Sequence, residues 1–334
     1  MTAVHTGAEN RPIVALRRPL LKWTFVAEYG TLAAFVTMCL VLSAIAPGFL
    51  TFDNILTILR QISVLGIISL GMTLVMASGG IDLSIGEALD AGALVSISLI
   101  AAGFGAVPSI LGGLAGGLVI GAINGLLVAG FGVMPFLATL GVHSMVMSLE
   151  MVYTRGGLPI YPYGGVPASF NFLGRGFIGP VPFPVVALAA CLLLFYLMLH
   201  RLTLGRYVYA VGENPEASRL SGVNVRLVTF GSYVIASVIA AFAGIILASR
   251  VSSGQPLAGE PYLLDSIAAV FMGRTVSREG KASILGSLVG AAFLGTVMNG
   301  MTLLNVVFYM QTFIKGALLL GVLALASYAR TRRT

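Results

Sequence analysis

The sequence predicts an all-α protein that crosses a membrane many times, and three observations lead to this fold class. Hydrophobic residues make up 57% of the 334-residue chain and charged residues only 9%, whereas soluble proteins carry about 25% charged residues. Apolar runs of about 20 residues, the length of a transmembrane helix, recur from one end of the chain to the other. Basic residues collect between certain runs, as in loops on one side of a membrane.

Ten apolar runs are predicted to be transmembrane helices. The eighth run, 262–274, is too short to cross about 30 Å of hydrocarbon unless it extends into a neighbouring loop, so nine or eleven spans also fit the sequence. We expect one transmembrane domain over residues 26–326, flanked by segments 1–25 and 327–334. In chain order, the predicted spans are 26–46, 55–76, 86–103, 107–130, 134–153, 181–200, 227–249, 262–274, 282–301 and 303–326.

The positions of the basic residues predict the orientation of the chain. A net charge of +7 could indicate a nucleic-acid partner, but the charges collect before the first span and after the sixth, eighth and tenth. Lysine and arginine concentrate in cytoplasmic loops, so we predict that both termini are cytoplasmic and that the number of spans is even. The residues in these segments are Arg11, Arg17, Arg18, Lys22, Arg201, Arg206, Arg219, Arg226, Arg274, Arg278, Lys281, Arg330, Arg332 and Arg333.

A polar, glycine-rich stretch separates the second and third predicted spans. Residues 79–86 read Gly-Gly-Ile-Asp-Leu-Ser-Ile-Gly. An aspartate and irregular backbone at membrane depth are costly unless they line a cavity or contact protein, and broken helices of this kind mark the pathways of many transporters. We therefore predict that Gly79, Gly80, Asp82 and Ser84 belong to a translocation pathway. A polar turn between two spans is the alternative.

The chain also matches itself at an offset of 175 residues, which predicts an inverted repeat. The offset moves the second span onto the seventh, and a shift of five spans reverses the direction across the membrane, giving five plus five helices in inverted topology. A pathway would run between the halves, so Asn124 and Asn299 join the predicted pathway residues. Chance matching in a glycine-rich chain is the alternative. The matched pairs are Gly79 with Gly254, Asp90 with Asp265, and Asn124-Gly125 with Asn299-Gly300.

The cytoplasmic loop 201–226 contains the pattern of a short helix with both ends marked. Asn214 is a good N-cap, Pro215 suits the first helical position, and Gly222 suits the left-handed residue that follows a helix. The predicted helix, 215–221, is too short to be stable alone in water and needs a surface to pack on. We predict that a partner protein supplies this surface; a surface helix without a partner is the alternative.

These segments resemble the membrane permease of ribose-type (monosaccharide) ABC importers, in the family of binding-protein-dependent transport system permeases. The similarity runs from residue 48 to 320. It departs at Glu213 and Ser218, where the family usually has glycine and alanine, and at 274–279, where a glycine-rich run is common. The similar stretches are Met76–Gly86, Ile123–Leu127, Pro135–Gly141, Asn214–Val223, Ile267–Gly273 and Asn299–Gly300.

The resemblance implies a fold like that of type II ABC importers, together with a function. The permease would move a monosaccharide or related polyol from a periplasmic or extracellular binding protein across the bacterial cytoplasmic (inner) membrane. It would form a homodimer with two ATPase subunits, which bind ATP and Mg²⁺, while this chain holds no cofactor. The ATPase-coupling contact would be made by Asn214, Pro215, Glu216, Ala217, Ser218, Arg219, Leu220, Ser221 and Gly222.

The longest connection on the opposite side, 154–184, is rich in proline and aromatic residues. Proline limits regular helix, and aromatic side chains suit a contact surface. We predict that the external binding protein docks here; an ordinary constrained loop is the alternative.

The sequence does not predict an enzyme. The chain lacks the Gly-x-x-x-x-Gly-Lys-Ser/Thr loop that holds ATP phosphates, so ATP hydrolysis is assigned to a partner chain. Neither a catalytic residue nor a metal ligand is predicted. His143 and Glu150, seven residues apart on one face of the fifth span, are expected to make a polar contact in the bundle.

Two other functions are alternatives to the importer. The main alternative is a self-sufficient, ion-coupled secondary transporter, which would need a carboxylate within the membrane. An intramembrane hydrolase would need a nucleophile beside a base, and the sequence offers no credible pair. The candidate coupling carboxylates are Asp82, Glu87, Asp90 and Asp265.

Overall fold

The computed structural model describes residues 21–276 and 281–331, and these ranges are almost entirely helical, which confirms the predicted all-α class. Most of the predicted segment 1–25, Arg278 and the last three residues of the predicted tail lie outside the described residues. A two-stranded antiparallel hairpin pairs β1 (Phe177–Ile178) with β2 (Val181–Pro182). The helices are α1 (Leu21–Ile45), α2 (Phe52–Ala77), α3 (Ile85–Ala101), α4 (Ala106–Gly125), α5 (Pro135–Tyr153), α6 (Ala168–Arg175), α7 (Phe183–Tyr196), α8 (Thr203–Glu213), α9 (Pro215–Leu220), α10 (Val225–Val251), α11 (Glu260–Val276), α12 (Ile284–Leu303) and α13 (Phe308–Thr331).

Each predicted span coincides with one of these helices. Two of the helices, α4 and α7, continue into a π-helical turn, Leu126–Gly130 and Leu197–Arg201 respectively. The short eighth span is part of α11, which has 17 residues and begins before the predicted start. The chain is therefore a multi-pass membrane protein. Among the described residues, the helical segments long and apolar enough to cross a membrane are Phe52–Ala77, Ala106–Gly130, Pro135–Tyr153, Phe183–Arg201, Val225–Val251 and Ile284–Leu303.

The connection 154–184 contains a helix that was not predicted. Helix α6 begins directly after Pro167, and α7 begins directly after Pro182, with Pro184 in its first turn. Proline is compatible with these positions because the first amides of a helix have no partner within the helix. Pro167, Pro182 and Pro184 therefore mark helix starts, which corrects the expectation that proline limits regular helix throughout this connection.

Helix α10 lies at the centre of the bundle and packs against α2, α3 and α4. The glycines of α4 make one of these contacts possible. A Cβ atom on Gly117 would lie 2.6 Å from the carbonyl oxygen of Ser237, and one on Gly121 would lie 2.8 Å from that of Tyr233. Small residues let membrane helices approach closely, and here they pack α4 against α10 within the chain.

Two non-helical segments lie inside the bundle. The first, 78–84, separates α2 from α3, and the second, 252–259, separates α10 from α11. The helices that follow them meet at their N-terminal ends, since a Cβ atom on Gly86 would lie 2.8 Å from the carbonyl oxygen of Gly259. The predicted break after the second span is thus confirmed, and a second break joins it at the same place.

Candidate functional site

Three of the predicted pathway residues form one hydrogen-bonded group at the first break. Oδ1 of Asp82 accepts hydrogen bonds from the backbone N–H and the hydroxyl of Ser84, both at 2.8 Å. The side-chain amide of Asn124 donates to the Ser84 hydroxyl at 2.6 Å. An aspartate that binds the backbone two residues onward forms a local turn, and here the turn leads into α3. All three residues are fully buried.

The glycines of the first break stand beside other parts of the chain. Gly79 has a left-handed φ of +89°, and its backbone lies against Gly212 at the end of α8. A Cβ atom on Gly80 would overlap the hydroxyl group of Tyr233 in α10. Residues with side chains are therefore poorly accommodated at both positions. The first break is tied to α8 on one side and to the central helix on the other.

The sixth predicted pathway residue, Asn299, lies apart from this group. Its side chain and that of Asn54 donate hydrogen bonds to each other, at 3.0 and 2.8 Å, and so join α12 to α2. Asn54 was missed by the sequence analysis because nothing near it in the chain marks it as a partner for a residue 245 positions away.

Buried carboxyl groups continue from the first break along α3. Nδ1 of His143 in α5 lies 2.5 Å from Oε1 of Glu87. Oδ1 of Asp90 accepts a hydrogen bond of 2.8 Å from the backbone N–H of Gly259. Glu150 lies close enough to interact electrostatically with Glu87 and Asp90. The polar contact expected for His143 is therefore made with α3, whereas Glu150 belongs to a carboxyl cluster.

The remaining candidate carboxylate, Asp265, has a cationic partner. Nζ of Lys315 in α13 lies 2.8 and 3.1 Å from the two carboxylate oxygens of Asp265 in α11. Both side chains are largely buried. Among the described residues, no three or more histidines, cysteines or acidic residues are grouped to hold a metal ion.

The predicted short helix is present as α9, one residue shorter than expected. Oδ1 of Asn214 accepts a hydrogen bond of 2.9 Å from the backbone N–H of Ala217, and Gly222 has a φ of +84°. Both predicted end signals are thereby confirmed. Ser218 is buried, whereas the other residues from 214 to 222 are exposed, including the apolar side chain of Leu220 at 81%.

A helix that was not predicted, α8, connects α9 to the bundle. Val208 and Val211 are buried on its inner face, and the Tyr209 hydroxyl donates to the carbonyl oxygen of Ala282, just before α12, at 3.0 Å. Glu213, at its end, lies 2.6 Å from the ammonium group of Lys281. The pair α8–α9 is therefore anchored to the base of α12 as well as to the first break.

Together, a multi-pass helical bundle, two broken helices with buried polar groups and a capped helix outside the bundle define a membrane protein of the transporter class. Residues 54–323 match the family model described as branched-chain amino acid transport system / permease component, and the chain belongs to this family.

Curated relatives agree with this assignment. The ribose import permease protein RbsC of Escherichia coli (strain K12) is 38% identical over 296 residues, which cover 89% of this chain and 92% of the relative. RbsC of Bacillus subtilis (strain 168) is 37% identical over 88% of this chain and 90% of the relative. The D-allose transport system permease protein AlsC of E. coli K12 is 31% identical over 92% and 94%. No solved structure matches the chain.

These relatives confirm the resemblance to ribose-type sugar permeases. They give no support to the ion-coupled secondary transporter, since their names describe import permeases and permease components.

Proposed function

We propose that this chain is the transmembrane permease subunit of an ATP-driven importer that moves a monosaccharide or related polyol into the cytoplasm. The family description mentions branched-chain amino acids. Relatives that match about nine tenths of the chain, however, carry the names of ribose, L-arabinose and D-allose. These names favour a sugar as the transported compound.

The observation that carries this proposal is α9. Its ends are fixed by Asn214 and Gly222, and its exposed face includes Leu220. A helix of six residues is not stable by itself in water, and an exposed apolar residue suits a protein contact. We assign Asn214 to Gly222 as the contact with an ATPase subunit, which binds ATP and Mg²⁺ and supplies the hydrolysis that this chain has no motif for.

The proposed topology has ten spans in two inverted halves. The spans beyond the six long apolar helices are α1, α3, α11 and α13. The helix bounds support a repeat, because α3 and α11 both have 17 residues and start 175 positions apart, at Ile85 and Glu260. Both also follow a break. With ten spans, both termini lie in the cytoplasm of a bacterium, and a second copy of the chain completes the transmembrane part, as in type II importers.

The proposed pathway is built at the first break. Asp82, Ser84 and Asn124 supply polar groups, Gly79 and Gly80 let the backbone turn, and Asn299 belongs to the opposite half. The contact between Gly79 and Gly212 connects this region to α8 and α9. We propose that closure of the ATPase subunits moves α9, and that the movement reaches the first break through this contact.

The function is tested by transport into proteoliposomes. The chain is reconstituted with the ATPase and sugar-binding proteins encoded beside its gene, and uptake of radiolabelled D-ribose, L-arabinose and D-allose is measured. We expect uptake of one of these sugars to require ATP, the ATPase and the binding protein together. Uptake that survives removal of the ATPase and stops with an uncoupler would contradict the proposal.

The coupling helix is tested with two glycines that both have free space around them. Gly222→Ala strains a left-handed residue by about 1–2 kcal/mol, whereas Gly231→Ala in α10 introduces no such strain. We expect the first variant to lose ATPase during co-purification and the second to retain it. Equal recovery of the ATPase with both variants would show that α9 does not make the contact with the ATPase subunit.

A further inference from the structure

A group of buried carboxyl residues lies where the N-terminal ends of α3 and α11 meet. Glu87 lies close enough to Asp82, Asp90 and Glu150 for their charges to interact, and these four acidic residues are called the carboxyl cluster. Asp90 accepts a hydrogen bond from the backbone N–H of Gly259, directly before α11. In many transporters the substrate binds where such half-helices end, within the bundle.

Several atoms of this cluster have no hydrogen-bond partner, although their residues are at most 6% exposed. Neither carboxylate oxygen of Glu150 meets the geometry of a hydrogen bond, although the backbone of Leu257 lies nearby. Buried polar groups without a partner are rare and costly. Oδ2 of Asp82 and Oε2 of Glu87 also have no partner. The same holds in neighbouring helices for Oδ1 of Asn124 and for the hydroxyl groups of Tyr233 and Ser237.

We propose that Glu87 and Glu150 bind hydroxyl groups of the transported sugar as it passes through the protein. This inference rests on the proposed function. The unpartnered oxygens of Asp82, Glu87, Asn124 and Glu150 can accept hydrogen bonds, and the hydroxyl groups of Tyr233 and Ser237 can both donate and accept. A suitable ligand therefore offers several groups that donate and accept. A neutral polyhydroxyl compound does so, and it requires no opposite charge to be carried into the membrane.

Helix α5 closes the site in this conformation. It contributes Glu150 and His143, yet only four of its 19 residues are buried, so it is held by few contacts. The His143–Glu87 contact fastens it to α3. Outward movement of α5 would expose both glutamates to a passing sugar, and its hydroxyl groups would replace the missing partners.

The test measures the preference among sugars that differ by one hydroxyl group. The complete transporter in proteoliposomes is given the sugar that it imports or one of its single-deoxy analogues. For D-ribose these are 2-deoxy-D-ribose and 3-deoxy-D-ribose. Uptake per ATP hydrolysed is recorded for the wild type, Glu87→Gln and Glu150→Gln. Asp53→Asn, at an exposed position in the first turn of α2, is the control. A glutamine replaces one acceptor oxygen by a donor and keeps the shape of the side chain.

We expect the wild type and Asp53→Asn to carry the imported sugar faster than at least one deoxy analogue. Each glutamine variant should carry that sugar about tenfold more slowly, the effect of losing a hydrogen bond to a charged group, and should lose the preference. If one of the two glutamine variants does not assemble, the other tests the same prediction.

Three outcomes would overturn the inference. If both glutamine variants carry the sugars as the wild type does, Glu87 and Glu150 do not bind the sugar, and the proposed function is unaffected. An equal loss of uptake for all three sugars would mean that the two carboxyl groups stabilise the structure or bind protons and do not contact the sugar. A wild-type complex that imports none of D-ribose, L-arabinose and D-allose with ATP overturns the proposed function, and the site with it.

Discussion

The two breaks in the bundle, 78–84 and 252–259, precede helices of equal length but are stabilised in different ways. The first is held by side chains, because Asp82 binds Ser84 and Asn124 binds Ser84 in turn. The second has side-chain hydrogen bonds as well, from Ser252 to Asn171 and from Gly259 to Asp90. It adds a backbone pairing, because Gly254 and Ile160 exchange two backbone hydrogen bonds of 2.8 and 2.9 Å. Side-chain hydrogen bonds can be exchanged for those of a ligand without unfolding the segment, whereas a backbone pairing fixes its place.

The acidic residues beyond each break differ in the same way. In α3, Glu87 pairs with His143, and Glu150 nearby has no hydrogen-bond partner. In α11, Asp265 is fully paired with Lys315. We infer that the first break serves transport and that the second fixes the helices around it. Similar helix lengths therefore do not imply similar roles.

The largest effect is expected for the ion pair of α11 and α13. Lys315→Met leaves Asp265 buried without its partner, which costs about 3–5 kcal/mol. The double variant Asp265→Leu/Lys315→Met removes both charges and should recover most of the stability. The midpoint of thermal unfolding in detergent measures both. If Lys315→Met is as stable as the wild type, the Asp265–Lys315 pair does not stabilise the second half, and the contrast with the first half fails.

A smaller effect is expected where the breaks meet. A Cβ atom on Gly259 would overlap the carbonyl group of Gly86, and overpacking of this kind costs about 1–3 kcal/mol. Gly259→Ala should therefore lower the thermal midpoint. Gly141→Ala is the control, because Gly141 in α5 has open space around it. Equal thermal midpoints for the two variants would contradict the close packing of the N-terminal ends of α3 and α11.

The smallest effect is expected in the connection that holds the second break. Tyr161 and Tyr163 are exposed, close to the Ile160–Gly254 pairing, and exposed aromatic residues often anchor protein contacts. Replacing both with alanine should lower the stimulation of ATP hydrolysis by loaded binding protein about fivefold, which corresponds to about 1 kcal/mol. Basal hydrolysis is the control. Unchanged stimulation would place the docking surface elsewhere.

The features that could be predicted from the sequence are those that depend on neighbours in the chain. The ends of α9 follow from Asn214 and Gly222, whose backbone preferences act within a few residues. The first break follows from Asp82 between glycines. Apolar run length also located the helices, because the length needed to span a membrane is fixed by the bilayer.

The features that were missed depend on residues far apart in the chain. Asn54 with Asn299, and Lys315 with Asp265, become partners only when the helices are packed, 245 and 50 positions apart respectively. Helix α8 was missed because it has only 11 residues and adjoins a transmembrane run. The role of the α4 glycines needed the position of α10, which supplies the surface that they contact.

The most direct test of the account is the number of sugar molecules imported per ATP by Asp82→Asn. The variant keeps the size of the side chain but removes the charge that holds Ser84 at the first break. We expect the ratio in proteoliposomes to fall about tenfold or more, while the matched variant at the second half, Asp265→Leu/Lys315→Met, keeps the wild-type ratio. A wild-type ratio for Asp82→Asn, or a lower ratio only for the double variant, would contradict the account.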